Sequence, residues 1–304
     1  MKFILLQISL CFLTITCITT KSNHDVILQK ETLDVAYANK SSAQKLDIFL
    51  PSTGKVPYPV LIWIHGGGWK SGDKSQFRKT INKAELLARG YAVVVINYRL
   101  SGEAKFPAQI YDVKAAIRWI KANAPVYQLN PDKIGVWGSS AGGHLSALAG
   151  TSGGVAELED LSLGNQDYSS RVHAVVDWFG PVDLLKLDKM ALAQGCPSSD
   201  HNSVDSAESE LIGYQITKRP DLAAKANPIT YISNDDPPFF IEHGLRDCTI
   251  AHRQSQLLYD NLLPILGSRK VKIKFLSETG HGGGKFGNIA TVKEAVDFLD
   301  TCLK

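Results

Sequence analysis

The stretch IGVWGSSAGGHLSALAG, residues Ile134–Gly150, decides the fold because it joins a short apolar run, a glycine-rich turn and a helix-forming run. This order predicts a strand that enters a helix through a sharp turn. The pattern Gly-x-Ser-x-Gly fits residues 138–142 only, with Ser140 at its centre. Ser139 does not fit, because the residue two positions before it is Trp137 and not a glycine. Such a turn needs small residues because its strained backbone brings neighbours close together. We therefore predict Ser140 as a nucleophile at the end of a strand.

Short apolar runs alternate with amphipathic runs on both sides of this stretch. The runs predicted as strands are Lys45–Leu50, Val60–His65, Tyr91–Tyr98, Ile134–Trp137, Ala174–Phe179, Phe239–His243 and Val271–Leu276. The helical patterns span about residues 74–89, 107–124, 141–150, 252–266 and 289–303. Repeated alternation of strand and helix is typical of a mainly parallel sheet with helices on both faces. The sequence therefore predicts an α/β fold with one central sheet.

One segment, from about residue 181 to residue 237, breaks this alternation. It is polar and irregular, and it contains the stretches PSSDHNS and NDDPP. A linker between two domains is disfavoured, because the chain beyond the segment is too short to form a second core. We predict a small cap inserted into a single α/β domain that spans residues 21–304, and a disordered linker is the alternative.

A second glycine-rich stretch, HGGGW at His65–Trp69, directly follows the predicted strand VLIWI. Consecutive glycines let a backbone turn several N–H groups towards one point, where they stabilise a developing oxyanion. We predict that Gly67 and Gly68, together with Ala141 just after the serine, form such an oxyanion hole. A flexible glycine loop is the alternative for residues 65–69.

For the serine turn at residues 138–142, a phosphate-binding loop is disfavoured, because no lysine follows its last glycine.

The base and the acid of a serine triad follow the nucleophile along the chain in folds of this kind. His281, in SETGHGGG, lies in a glycine-rich loop after the strand VKIKFL, at the edge of the sheet where the serine is expected. Asp247, in HGLRDCTI, follows the strand FFIEH, and Asp183 is the alternative acid. We predict His281 as the base and Asp247 as the acid that orients it. His144 and His243 are predicted to have packing roles.

Composition and charge disfavour some classes of partner. The chain has 304 residues, of which 44% are hydrophobic, and a net charge of +3 from 33 basic and 30 acidic residues. No basic stripe occurs, so nucleic acid is a poor candidate partner. Residues 1–20 join an early lysine to an apolar core that is short for a membrane span. They predict a signal peptide, a secreted or periplasmic protein and no membrane span after signal removal, with an uncleaved anchor as the alternative.

The motifs HGGGW, NYRLSGEAKFPAQIYDVKAAIRWI, GSSAGGHLSAL, DWFGPVDL and HGLRD together resemble those of α/β-hydrolase esterases. The resemblance is specifically to the bifunctional feruloyl and acetyl xylan esterases and, more distantly, to the hormone-sensitive-lipase-like esterases. It covers roughly residues 40–300. It implies the α/β-hydrolase fold and the same triad and oxyanion residues. Tyr98, Arg99 and Asp112 match a stretch tied to scaffold interactions, whereas Trp69 and Trp178 are candidate substrate-binding residues with core packing as the alternative.

Two departures from the family pattern concern loops near the site. Ile250 and Ala251 replace a common Val-Pro pair after the acid, and Ser139 replaces an acidic residue that the lipase-like branch carries before its nucleophile. Ser139 therefore favours the feruloyl and acetyl xylan branch. Cys196 in the cap and Cys248 beside the acid are a candidate disulfide pair, and two unpaired thiols are the alternative.

These features together predict an exported serine esterase. It would hydrolyse small acyl or aryl esters, such as acetyl or feruloyl groups on plant polysaccharide, through an acyl-enzyme without a cofactor or a metal. A small ester or an acylated polysaccharide is thus the expected partner, and the oligomeric state stays open. An amidase or peptidase on the same triad is the first alternative, because the residues alone do not separate ester from amide. A non-catalytic receptor on the same fold is the second.

Overall fold

An eight-stranded sheet forms the centre of the computed structural model, which describes residues 30–78, 80–197 and 199–304. The strands lie in the order β1-β2-β4-β3-β5-β6-β7-β8. Their bounds are β1 Glu31–Ala36, β2 Lys45–Phe49, β3 Tyr58–Ile64, β4 Ala92–Ile96, β5 Leu129–Ser139, β6 Ala174–Trp178, β7 Phe239–Gly244 and β8 Val271–Leu276. Each of the seven predicted strands is present, and β1 is an additional one.

Strands β4, β3, β5, β6, β7 and β8 run parallel to one another, whereas β1 and β2 pair antiparallel at one edge. The central strands are buried on both faces, which is why they read as continuous apolar runs in the sequence. In β3, for example, Val60 and Ile62 pack into the core on one face, while Leu61 and Trp63 pack into the core on the other. The predicted mainly parallel α/β architecture is confirmed.

Helices cover both faces of the sheet. The α-helices are α1 Ile81–Ala88, α2 Ala108–Ala122, α3 Ala141–Thr151, α4 Leu187–Ala193, α5 Ala207–Ile212, α6 Pro220–Lys225, α7 Arg253–Leu266 and α8 Ile289–Leu303. Residues 74–89, predicted as one helix, instead form a short 3₁₀ turn at Lys74–Phe77 and then α1. Thr80 separates the two because its extended backbone begins α1 and its Oγ1 accepts the N–H of Lys83 at 3.3 Å.

Residues 181–237, predicted as a cap, contain the three short helices α4, α5 and α6 and several 3₁₀ turns. A disulfide between Cys196 and Cys248 joins this segment to the loop after β7, and it resolves the pairing that the sequence left open. The division into domains itself stays a prediction. The predicted signal peptide, residues 1–20, lies outside the described residues. None of the helices described is long and apolar enough to cross a bilayer.

Candidate active site

Ser140 occupies a strained turn between β5 and α3. Its φ of 55° and ψ of −124° lie in a region that L-residues seldom adopt. This conformation turns the chain sharply from β5 into α3. A Cβ on Gly138 would overlap the carbonyl oxygen of Gly142, and one on Gly142 would overlap the carbonyl oxygen of Ile64. The glycines at both positions are therefore required by close backbone approach. The N–H of Ser140 donates to the carbonyl oxygen of Trp178 at 2.9 Å, which fixes the turn on β6.

A continuous hydrogen-bonded chain connects three side chains from three different loops. His281 Nε2 lies 2.9 Å from Ser140 Oγ, and His281 Nδ1 lies 2.7 Å from Asp247 Oδ2. Asp247 follows β7 and His281 follows β8, so the parallel strands deliver all three residues to one edge of the sheet. The structure thus brings together the three residues predicted as nucleophile, base and acid. The alternative acid, Asp183, instead accepts the N–H of Leu185 in the cap.

Asp247 is fully buried and its carboxylate receives four hydrogen bonds. Oδ1 accepts the backbone N–H groups of Thr249 and Ile250, each at 2.9 Å. Oδ2 accepts from His281 and also from His243 Nε2 at 3.2 Å. Burial alone would raise the pKa of Asp247, but the hydrogen bonds from His243 and His281 outweigh it and lower that pKa to about 2. The carboxylate is therefore charged at neutral pH, as the orienting acid of a triad must be.

The loop His65–Trp69 passes directly beside the serine. A Cβ on Gly66 would lie 3.3 Å from the Cβ of Ser140, and Gly67 and Gly68 have positive φ values of 106° and 57°. The Tyr98 hydroxyl donates to the carbonyl oxygen of His65 at 3.0 Å, and this hydrogen bond fixes the first residue of the loop. The scaffold role implied for Tyr98 therefore has a visible basis in the structure.

Arg99 and Asp112, which the resemblance also implied as scaffold residues, form an ion pair in which the carboxylate is buried and the guanidinium is partly exposed. The Arg99 guanidinium donates to both carboxylate oxygens of Asp112, at 2.9 and 2.8 Å. The Asp112 carboxylate also accepts from the side chain of Gln44 at 2.7 Å. These contacts connect α2 to the loop after β4, so both residues stabilise the scaffold behind the site.

A cavity of about 760 Å³ opens in front of the serine. Its wall includes Ser140, Ala141, His281 and the glycine loop, together with residues 200–201 and 205–208 of the predicted cap. Both polar and apolar groups line it, with Phe179 and Ile250 among the apolar ones. Its size is that of a small-molecule binding site.

The two tryptophans predicted as candidate substrate-binding residues occupy different places. Trp69 belongs to the cavity wall but is only 1% exposed, and its indole N–H donates to His144 Nδ1 at 3.2 Å. Trp178 does not line the cavity: its ring packs against Trp137 and Phe286 on the far face of the sheet. The position of Trp178 agrees with the core-packing alternative, and its role in substrate binding stays a prediction.

His144 and His243, both predicted to pack, are fully buried. His144 lies between Trp69 and the carbonyl oxygen of Ala226, and burial lowers its pKa to about 4. His243, in contrast, contacts the Asp247 carboxylate, and sequence reasoning missed this contact.

Sequence reasoning also missed Phe179 and His201. The Phe179 ring lies edge-on to His281, with 4.8 Å between centroids. His201 connects Glu208 in the predicted cap, at 2.9 Å, to the carbonyl oxygen of Thr249 in the acid loop, also at 2.9 Å. The DWFG motif was a signal for Phe179, whereas nothing in the polar cap sequence singled out His201. No group of three or more potential metal ligands occurs within residues 30–78, 80–197 and 199–304.

Comparison with protein families assigns the chain. A family model described as BD-FAE matches residues 46–262, which is more than two thirds of the sequence. The chain belongs to the BD-FAE family. The family resemblance carried by the motifs HGGGW and GSSAGGHLSAL is thereby confirmed.

Several proteins similar to this BD-FAE chain are named as ester hydrolases. It is 33% identical over 238 residues to the probable carboxylic ester hydrolase LipM of Mycobacterium tuberculosis, covering 75% of this chain and 51% of that protein. Among solved structures, a bifunctional GH43-CE protein of Bacteroides eggerthii is 38% identical with a TM-score of 0.80, over 90% of this chain and 38% of that one.

A truncated form of a carbohydrate esterase from gut microbiota is 36% identical with a TM-score of 0.80, over 90% of this chain and 96% of that one. These similarities confirm the α/β-hydrolase fold. The BD-FAE chain spans about half the length of the curated relatives it matches.

Proposed function

We propose that this protein is a serine esterase that hydrolyses carboxylic esters through an acyl-enzyme on Ser140. The observation that carries the proposal is the unbroken chain from Ser140 Oγ through the His281 imidazole to the Asp247 carboxylate, with distances of 2.9 and 2.7 Å. Both distances are those of formed hydrogen bonds, and this geometry supports His281 as the group that takes the proton from Ser140.

In the acylation step, Ser140 Oγ attacks the ester carbonyl carbon while His281 Nε2 takes its proton. The buried Asp247 carboxylate accepts from His281 Nδ1 and stabilises the imidazolium that forms. The N–H of Ala141 lies in the first turn of α3, where backbone donors have no intrahelical acceptor. Together with the N–H groups of Gly67 and Gly68, it would stabilise the oxyanion of the tetrahedral intermediate.

Collapse of this intermediate releases the alcohol, which takes the proton from His281. In deacylation a water molecule gives a proton to His281 and attacks the acyl carbon. Ser140 then leaves and recovers the proton. The same two groups therefore serve both half-reactions.

We further propose acyl esters of carbohydrate, such as acetyl or feruloyl esters of plant polysaccharide, as the substrate class. Two similar solved structures carry the names GH43-CE and carbohydrate esterase, and they support this choice. The cavity volume of about 760 Å³ is large enough to hold an acyl group together with a sugar ring. Polar groups such as Gln76, Asp205 and Glu208 on its wall suit sugar hydroxyls.

Export through residues 1–20 is also part of the proposal. A disulfide such as Cys196–Cys248 persists in oxidising compartments, which agrees with a secreted or periplasmic protein. This step is tested by the mass of the intact protein recovered outside the cytoplasm. Cleavage after about residue 20 would lower that mass by the mass of the removed segment, which includes Cys11 and Cys17.

The proposal is tested by hydrolysis of p-nitrophenyl acetate with the mature chain and its Ser140→Ala variant, both verified as folded. We expect turnover by the native chain and a loss of about 10⁴-fold or more in the variant. Equal rates would exclude Ser140 as the nucleophile. Ser139→Ala is the matched control and should retain turnover. Release of acetate and ferulate from acylated xylans, with p-nitroacetanilide as an amide comparison, then tests the substrate class.

A further inference from the structure

His243 is a buried histidine that contacts the triad without belonging to it. It lies near the end of β7, is fully buried, and is four residues before Asp247. Its Nε2 is 3.2 Å from Asp247 Oδ2 and 2.8 Å from the carbonyl oxygen of Ile250. Its Nδ1 is 2.7 Å from the hydroxyl oxygen of Ser255 in α7. Both ring nitrogens therefore have partners.

These partners fix which nitrogen carries the proton. The carbonyl oxygen of Ile250 and the Asp247 carboxylate can only accept, so Nε2 must be the donor. The Ser255 hydroxyl can donate, so it satisfies Nδ1 as an acceptor. The pattern assigns a proton to Nε2, and this proton is shared between the acid and the loop that follows it.

The geometry gives this proton two consequences for the acid. First, Asp247 Oδ2 accepts from His243 and His281 together, while Oδ1 is held by two backbone N–H groups, so the carboxylate cannot rotate away from His281. Second, the bond to the carbonyl oxygen of Ile250 closes the loop that supplies those backbone donors. A histidine that only filled space would have neither effect.

We propose that His243 is a positioning residue of the triad. It holds the Asp247 carboxylate in the orientation that presents His281 Nε2 to Ser140. The proposal rests on the proposed esterase function and adds a fourth side chain to the arrangement, one that acts through Asp247 and does not touch the substrate.

The test compares the steady-state kinetics of p-nitrophenyl acetate hydrolysis for two variants. His243→Leu removes the donor, whereas His243→Gln keeps an amide N–H near the position of Nε2. We expect kcat to fall about 100-fold in His243→Leu with KM within about twofold, because a displaced base affects the chemical step and not binding. His243→Gln should recover at least about tenfold of that loss. His173→Gln is the matched control. His173 directly precedes β6, at the amino ends of the parallel strands and away from the triad, where its Nδ1 accepts the N–H of Ile134. This variant should retain the native kcat.

Thermal unfolding and the burst of p-nitrophenol per mole of protein measure how much of each variant is folded and competent. A folded His243→Leu variant with native kcat would overturn the proposal, as would equal kcat in the Leu and Gln variants. If both variants fail to fold, Ser255→Ala decides the question: it removes the hydrogen bond that holds Nδ1, lets the imidazole ring turn away from Asp247 Oδ2 and should lower kcat about three- to tenfold. Native kcat in Ser255→Ala would overturn the proposal. An inactive native chain would overturn the esterase function itself, so the two failures are distinguishable.

Discussion

Removal of the Cys196–Cys248 disulfide tests how the predicted cap and the acid loop are held together. The two cysteines are separated by 52 residues, and their Cα atoms are 5.4 Å apart. Cys248 is exposed and directly follows Asp247, so the bond is accessible to reductant and lies next to the triad. The perturbation is the double variant Cys196→Ser with Cys248→Ser.

The expected magnitude follows from the length of the closed loop. A crosslink across 52 residues removes enough entropy from the unfolded chain to stabilise the fold by about 4 kcal/mol at 25 °C. With an unfolding entropy of roughly 2 cal/mol/K per residue, this corresponds to a decrease in Tm of about 7 °C.

The acid loop keeps other contacts to the predicted cap in the double variant. The Gln194 side chain donates to the carbonyl oxygen of Asp247 at 2.6 Å and accepts the N–H of His252 at 3.0 Å. His201 remains bonded to the carbonyl oxygen of Thr249. Because these contacts keep the acid loop in place, we expect the barrier height to change by much less than about 1.4 kcal/mol, the change that would lower kcat tenfold. We therefore expect kcat at 25 °C to stay within about threefold of the native value.

The assay combines urea unfolding, followed by tryptophan fluorescence, with ester hydrolysis at 25 °C. Dithiothreitol should lower the stability of the native chain to that of the double variant and leave the double variant unchanged. Cys302→Ser is the matched control, because Cys302 forms no disulfide among the described residues. A stability loss below about 1 kcal/mol, or a large loss of kcat at native stability, would refute the reasoning.

Three further predictions concern the triad, the turn and a buried carboxyl group. Asp247→Asn should lower kcat by about 10⁴-fold, because an amide no longer holds the productive tautomer of the base, whereas Asp183→Asn should leave kcat unchanged. Gly142→Ala should destabilise the fold by about 3 kcal/mol, because its Cβ would overlap a carbonyl oxygen of β3, whereas Gly287→Ala meets nothing within 4 Å and should be neutral in urea unfolding. Burial raises the pKa of Asp177 to about 7, so the native state binds an extra proton between about pH 4 and pH 7 and loses stability as pH rises through that range. Asp177→Asn should therefore reduce the difference in Tm between pH 5 and pH 8.

Each of these predictions has a result that contradicts it. Asp247→Asn activity within tenfold of native would remove Asp247 from the triad. A Gly142→Ala protein as stable as Gly287→Ala would mean that the turn tolerates a side chain. An unchanged pH dependence in Asp177→Asn would mean that this carboxyl group is ionised in the native protein.

The main elements could be predicted because their burial leaves a direct signal in the sequence. The central strands such as β4, with the sequence AVVVI, are apolar on both faces. Strand β1 was missed because it is an antiparallel edge strand with the polar sequence ETLDVA, and only its position beside β2 makes it a strand. The helix predicted over 74–89 was divided because the capping side chain of Thr80 outweighs the continued helical pattern.

The candidate site was predictable wherever a backbone requirement restricts the residue type. Ser140 needs small neighbours, so the pattern around it was informative. The contact between His243 and Asp247 was not predictable, because His243 lies in β7 and Asp247 in the loop after it. The distance between two such residues depends on how the loop folds back, and the hydrogen bonds that decide this leave no pattern in the sequence. The side-chain direction of Trp178 depended on strand register, and the disulfide depended on the path of the predicted cap.

The central claim, that Ser140 is the nucleophile, is tested most directly by covalent labelling with an organophosphonate fluoride and mass spectrometry of the intact protein and of its peptides. The account predicts one adduct per chain, located on Ser140 within the peptide that carries residues 134–150, and no adduct in Ser140→Ala. An adduct on Ser139 or on another residue, or equal labelling of the Ser140→Ala variant, would contradict it.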